Sequence, residues 1–302
     1  MKQQAEIRIG VAGWDYPDWK GILYPTPRPH GFDPVRFLAN YIDLIEVNST
    51  FYRPVSAEVA DRWAERVEDF PDFRYTAKLW RRFTHERDSS WTRDEVKQVR
   101  AGFDRLHKAE RLDAVLLQFP WSFKNDENSR EWLDDLIETF QRYPLVVEVR
   151  HASWNVPEFY DWLTRHSVGF VNVDQPLFSK SIKPSARSTS HTGYVRVHGR
   201  NYKDWFRKDA GRDARYDYLY ETKELLPWVK RAEALAEDPP TNEVDVVFNN
   251  HYKAQAVVNA IQFKHLLAGE IQPAPPLLFE QYPDSLDGHA FPMDVEETAA
   301  VP

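Results

Sequence analysis

The chain has 302 residues, 42% hydrophobic and 28% charged, with 18 Phe, 14 Tyr and 11 Trp, a composition that excludes wholesale disorder, a collagen-like repeat and a coiled-coil rod. It contains no cysteine, which removes disulfides, thiolate nucleophiles and thiolate-bound zinc or iron–sulfur centres. The formal charge of −8 repels polyanions at long range, so nucleic acid is compatible with this chain only through a local basic pocket.

In chain order, eight short segments rich in apolar and β-branched residues read as strands: Ile7–Gly13, Leu44–Asn48, Phe73–Lys78, Ala114–Phe119, Leu145–Arg150, Phe170–Asp174, Tyr194–His198 and Val244–Asn249. Amphipathic helices are expected between them. Asp33-Pro34 opens the first, Ser56 the second, and Thr92 with Glu95 forms a capping box for the third. Asn128 with Glu131 and Asn155 with Glu158 repeat that spacing, and a last helix, Tyr252–Ala268, stops at Gly269.

Strands alternating with helices predict a parallel sheet, and eight is the number at which such a sheet closes. The expected fold class is therefore α/β, a TIM-type (β/α)8 barrel, with an open doubly wound sheet as the alternative. Gln175–Gly193 has polar Ser-containing clusters and no helical period, so the barrel is expected to be irregular between strands six and seven. Residues 1–269 read as one barrel domain. Residues 270–302 read as a proline-rich acidic tail, either packed on the barrel or partly disordered. No run of residues is apolar enough for a membrane span, and the first residues lead straight into a strand without a signal-peptide core. A cytoplasmic location without membrane contact is the expectation, and oligomeric state is not readable.

Alternate side chains of a strand share a face, so polar residues spaced by two at a strand's C-terminal end are expected to face the barrel mouth. Glu46 with Asn48, Thr76 with Lys78, Glu148 with Arg150, Asn172 with Asp174, and Arg196 with His198 all show this spacing, and Gln118 and Asn249 close strands four and eight. Barrel enzymes of this fold hold their active sites at that end. The competing interpretation is a self-neutralised ion network, because Glu46, Glu148 and Asp174 balance Lys78, Arg150 and Arg196. Each strand-to-helix loop also carries an aromatic residue, and Trp14 and Trp154 are the expected stacking faces for a sugar or base.

The strings Gly13-Trp14-Asp15-Tyr16-Pro17, Glu46-Val47-Asn48-Ser49-Thr50-Phe51-Tyr52, Gln118-Phe119-Pro120, Glu148-Val149-Arg150-His151, Val195-Arg196-Val197-His198-Gly199 and Phe248-Asn249-Asn250 together resemble the YecE-like family, also called domain of unknown function 72. The resemblance spans roughly residues 7–268 and implies a TIM-type barrel without an established activity. Two departures are visible: Ala12 where Ser or Thr is expected, and Ala254-Gln255 where a Gly often follows the Asn pair. Such barrels are similar in fold to endonuclease-four-type nucleases and xylose-isomerase-like proteins, an analogy that raises phosphodiester or sugar chemistry.

Three functions are compatible with these residues. In the first, a metal-independent enzyme binds a small anionic, sugar- or phosphate-containing ligand through Lys78, Arg150 and Arg196. Glu46, Glu148 and His198 then move protons, while Trp14, Asn48, Tyr52, Gln118, Trp154, Asp174, Asn249 and Asn250 complete the ligand site. No cofactor is expected. The second is a metal-dependent phosphodiesterase or nucleic-acid lesion binder with a divalent ion on Glu46, Glu148, Asp174, His151 and His198, with His85 or His251 as further ligands. The third is a binding module that holds its ligand unchanged. No glycine-rich phosphate loop is present, which argues against Rossmann or P-loop nucleotide binding.

Overall fold

The computed structural model describes residues 5–205, 207 and 214–295. Eight parallel strands close into a barrel in the order β1 to β8: Glu6–Ala12, Leu44–Val47, Arg74–Lys78, Leu112–Gln118, Leu145–Glu148, Gly169–Asp174, Thr192–Val197 and Glu243–Phe248. The last rung, β1 on β8, pairs Ile7 with Val244 and Val11 with Phe248. This is the expected α/β, TIM-type barrel. Asn48, Arg150, His198 and Asn249, which the sequence pattern places inside strands, sit just beyond them in the loops of the C-terminal face.

Helix starts follow local chemistry. Asp33 caps Pro34–Ala39 by accepting from the Val35 and Arg36 N–H groups, Ser56 caps Ala57–Arg66, and Thr92 and Glu95 form the expected capping box of Arg93–Lys108. Two starts differ. Glu127–Phe140 begins one residue before Asn128 because Asp126 supplies the cap, accepting from the Ser129 N–H at 2.9 Å. Pro157 opens the next helix, Pro157–Arg165, its fixed φ suiting the first helical position. Asn155 instead accepts a bond from the Tyr160 hydroxyl at 2.7 Å.

The last barrel helix is regular only from Gln255 to Ala268, because Lys253 and Ala254 adopt φ of 49° and 63°. Ala254 occupies a left-handed conformation that glycine tolerates without strain, the physical content of the departure noted in the sequence. Gly269 ends the helix at φ 72°.

Between β6 and β7 the chain forms no helix. It doubles back on the β5 loop, where Ile182 N–H donates to the Arg150 carbonyl at 2.9 Å and Ala152 N–H to that of Lys180 at 2.8 Å. Up to Val295, the segment after Gly269 packs outside the barrel. Its short strands Gln272–Ala274 and Ala290–Pro292 pair with each other, and Gln262 and Tyr41 bond the Ser285 and Met293 carbonyls at 2.7 Å. Residues 296–302, the rest of the expected tail, lie outside the described residues. No helix among the described residues is long and apolar enough to cross a membrane.

The barrel interior is polar along its axis rather than filled by the usual branched aliphatics. At its N-terminal end Arg8 donates to Asp113 at 2.8 Å and to Glu243 at 3.1 Å, while Arg74 pairs with Asp113 at 3.3 Å. Asp245 is fully buried beside them, and neither of its carboxyl oxygens has a partner among the described residues.

Candidate functional site

Strand β7 carries the axis of the site. Its inward face reads Thr192, Tyr194, Arg196, with His198 one step beyond, each separated by two residues as the pleat requires. Thr192 donates to Glu243 at 2.9 Å. One layer up, the Tyr194 hydroxyl meets Thr76 at 2.8 Å and donates to Glu46 at 3.2 Å. Above that, Arg196 grips Glu46 at two points, Nε to Oε2 at 2.9 Å and Nη2 to Oε1 at 2.7 Å, and its Nη1 donates to Glu148. Glu148 receives Arg150 from the other side, at 2.8 Å from Nε and 2.6 Å from Nη2.

Glu46, Glu148, Arg196 and His198 have no exposed surface, so the electrostatics act in a medium of low dielectric. Burial alone raises the Glu148 carboxyl, but Arg196, Arg150 and His198 outweigh it and hold the group well below the usual carboxylate range. Burial, then Arg150 and Arg196, pushes the His198 imidazole down to about 3. The ring is therefore neutral at neutral pH. Its Nε2 faces Arg150 Nη2 at 3.2 Å, Arg196 Nη1 at 3.4 Å and Glu148 Oε1 at 3.5 Å. Its Nδ1 lies 2.9 Å from Asn249 Nδ2, an amide nitrogen that donates to it, which leaves the ring proton on Nε2, toward Glu148.

Lys78 ends β3 on the inward face, in register with Leu116. It is half-buried. Among the described residues its Nζ has no hydrogen bond or ion pair, and it stands 5.5 Å from the centre of the Phe51 ring. Burial, then Arg196 and Arg150, lowers the ammonium to about 8 against the opposing pull of Glu46 and Glu148. His85 packs edge-on to the same Phe51 ring at 4.9 Å, and burial followed by Lys78, Arg150, Arg81 and Arg87 lowers it to about 4. A basic rim thus surrounds Lys78, with Arg81 5.9 Å from the Phe51 ring. Trp205 closes over the cluster: Arg150 lies 5.6 Å from its ring and His198 packs edge-on to it at 6.2 Å.

The structure brings Glu46, Lys78, Glu148, Arg150, Arg196, His198 and Asn249 together. Gln118 is in register with Glu148 on the inward face and half-buried. Asn48 is half-buried at the end of β2, its Oδ1 unpartnered among the described residues. Tyr52 is 60% exposed and packs on Phe51, while Trp14 packs edge-on to Trp63 at 5.7 Å.

Three expected site residues lie elsewhere. Asp174 is in register with Val197, not Arg196, so the inward face of β6 carries Val171 and Val173 and the polar pair Asn172 and Asp174 faces the outer layer. There Asp174 accepts from Arg200 at 2.9 Å and from the Tyr220 hydroxyl. Asn250 bonds the Tyr218 carbonyl and Asn259, both at 2.8 Å. Trp154 stacks on Phe123, donates to its carbonyl at 2.9 Å, and lines an outer groove of about 480 Å³ between helices Glu127–Phe140 and Pro157–Arg165.

Of the candidate metal ligands, Glu46, Glu148 and His198 lie in the Arg196 cluster, while His151, His251 and Asp174 lie apart from it. His151 caps a short turn through Ser153, His251 stacks on Tyr16 at 4.1 Å, and Asp174 is held by Arg200. No group of three or more His, Asp or Glu among the described residues is arranged to hold a metal ion.

Sequence reasoning missed Gln175 and Trp205, and gave His85 only as a further metal ligand. Gln175 is buried with both amide atoms unpartnered among the described residues, and by strand alternation it falls on the face of Val173. The period-two pattern of β6 gives that signal once the strand is read from its pairing partner rather than from its polar residues. Trp205 lies in a long loop with no local cue.

Residues 8–281 match the family described as Protein of unknown function DUF72. The chain belongs to this family. This DUF72 protein is 27% identical over 282 residues to the UPF0759 protein YunF of Bacillus subtilis, covering 86% of this chain and 94% of that one. A solved DUF72 family protein from Thermotoga maritima superposes with a TM-score of 0.74 at 32% identity, covering 87% of this chain and 99% of that one. One from Enterococcus faecalis gives 0.75 at 23%, covering 87% and 95%, a likeness of fold.

Proposed function

We propose that the mouth of this barrel binds a small anionic, sugar- or phosphate-containing ligand and acts on it by proton transfer. The observation that carries this reading is Lys78, a cation without a carboxylate partner among the described residues, standing in a cluster whose other charges are already matched. Counted as formal charges, Glu46 and Glu148 set against Arg196, Arg150 and Lys78 leave one positive charge, which suits one anionic group. Lys78 and Arg150 are the members with solvent exposure. Their chemistry differs usefully: a guanidinium binds two oxygens of a phosphate or carboxylate, and an ammonium binds one as a point charge.

Asn48 Oδ1 and both amide atoms of Gln175 have bonds left to make, and with Gln118 they supply donors and acceptors for hydroxyl groups. An efficient acid or base titrates near the working pH. His198, lowered to about 3, is far from it, and so is Glu148; Lys78, at about 8, is near it. In this reading Glu46, Glu148 and Arg196 form the charged floor that sets the properties of Lys78, and the proton moves at Nζ.

The test is phosphate binding by calorimetry together with turnover on a panel of phosphate monoesters and glycosides, with Lys78→Met and Arg150→Met beside the wild type. Wild type is expected to bind inorganic phosphate. Lys78→Met is expected to lose roughly tenfold in affinity and all detectable turnover. Unchanged phosphate affinity and rate in both folded variants overturns the reading.

A further inference from the structure

We infer that Lys78 Nζ is a carbonyl-trapping amine, and that the ligand class of this site is a small phosphorylated aldehyde or ketone held as an imine. The inference rests on the anion-binding reading above and deepens it by naming the substrate's reactive group. Its basis is the arrangement around one nitrogen.

Among the described residues, the carboxylates that could lock Lys78 as a paired ammonium are engaged elsewhere. From β2, Glu46 gives both oxygens to Arg196; from β5, Glu148 gives one oxygen to Arg196 and the other to Arg150. Burial, Arg196 from β7 and Arg150 after β5 favour the neutral amine, and the other near groups, the neutral His85 and the Phe51 ring, supply no carboxylate to hold the ammonium. His198 is neutral as well. A lysine desolvated beside other cations is the arrangement that activates an amine toward carbonyl carbon. With the ammonium lowered to about 8, roughly one molecule in ten carries the free amine at pH 7, a few hundred times the fraction for an ordinary lysine.

The step balances without an oxidant or a reductant. The Nζ lone pair forms a bond to the carbonyl carbon while the C=O π electrons move to oxygen, and one proton passes from nitrogen to that oxygen to give a carbinolamine. The hydroxyl then leaves with a second proton as water, and the nitrogen electrons close the C=N bond. The phosphate lies against Arg150, and the half-buried position of Lys78 leaves Nζ reachable from the mouth.

The experiment incubates the full chain with glyceraldehyde 3-phosphate and cyanoborohydride, reads the adduct by intact mass and locates it by peptide mapping. Unphosphorylated glyceraldehyde and the Lys78→Arg variant run beside it. One adduct is expected, on Lys78, with a trapping rate that rises with pH to a midpoint near 8, a preference of roughly tenfold or more for the phosphorylated aldehyde, and loss in Lys78→Arg. Peptide mapping within the wild type decides the matter even if the variant fails to fold. Adducts spread evenly over surface lysines, or an adduct elsewhere that persists in Lys78→Arg, overturn the inference. Inorganic phosphate as competitor separates the two proposals. Phosphate binding without an adduct on Lys78 removes the imine and leaves the anion site standing. A Lys78 adduct that forms equally well without the phosphoryl group, unaffected by phosphate, supports the amine and removes the anion site.

Discussion

Arg196 and Glu46, 150 residues apart in sequence, face each other at 2.7 and 2.9 Å with neither side chain exposed. A buried pair of this kind is no guide to net stability, because desolvation of both charges offsets their attraction. Removing one partner is another matter.

Arg196→Met leaves Glu46 and Glu148 facing each other across the barrel. The expected loss is about 3–5 kcal/mol of unfolding free energy, read from urea denaturation at pH 7. Arg196→Lys is expected to recover only part of it, since an ammonium cannot reproduce the two-point contact with Glu46 and the third bond to Glu148 together. Equal stability of all three proteins contradicts the geometry.

The upper cluster makes the fold sensitive to acid. His198 stays neutral in the folded protein down to about 3, whereas the unfolded chain protonates it near pH 6.5. The lowered Glu148 acts in the same direction. Between those values the unfolded state binds more protons, so these groups contribute less stability as pH falls. His198→Gln is expected to lose the histidine part of that slope, giving urea midpoints that fall less between about pH 6.5 and 4 than those of the wild type.

At the other end of the barrel the sign reverses. Burial, then Glu243, raises Asp113 to about 7, and burial, then Asp113 and Glu243, raises Asp245 well above its usual range. The folded state keeps these protons after the unfolded chain has released them near pH 4, so their contribution is full in acid and lost as pH climbs through their folded values. Asp245→Asn is expected to raise the urea midpoint more at pH 8 than at pH 5; the opposite ordering refutes the assignment.

Gly10 faces inward on β1, and a Cβ built there falls 1.8 Å from the Leu44 carbonyl oxygen on the neighbouring strand. Backbone cannot rotate away as a side chain can. Gly10→Ala is expected to cost more than about 3 kcal/mol by parting β1 from β2, seen as a lowered melting temperature or loss of soluble protein. Gly269→Ala, with no atom within 4 Å of the added carbon but φ at 72°, is expected to cost about 1 kcal/mol through backbone strain alone.

Trp205 shields His198 and Arg150 from water. Trp205→Ala is expected to let solvent reach the imidazole, moving its titration upward from about 3 toward the ordinary histidine range, as followed by NMR. A titration that stays where it was assigns the shielding to other residues.

Much of the site was legible because strands have a strict period of two. Glu46, Lys78, Glu148, Arg150, Arg196 and His198 lie at strand ends with the alternation intact, and the structure gathers all six. The same rule misled at β6, where Asn172 and Asp174 keep the spacing but occupy the other face: Val147 pairs with Phe170 and Val173 with Arg196. Alternation says which residues share a face, not which face is inside. On β6 the outward polar pair is satisfied by the irregular crossing, through Arg187 N–H to Asn172 at 2.9 Å, and by Arg200. Trp154 could not be placed because its loop turns it outward onto Phe123.

The linear order of residues was enough to determine eight strands, a closed barrel and a family, since each follows from periodicity and short motifs that act over neighbouring positions. Which carboxylate meets which arginine, and that Lys78 has no carboxylate partner among the described residues, was decided only when β2, β3, β5 and β7 closed around one axis. Coulomb energy in a buried site depends on distances of a few ångströms, and at Arg196 those distances arise to residues 48 and 150 positions away.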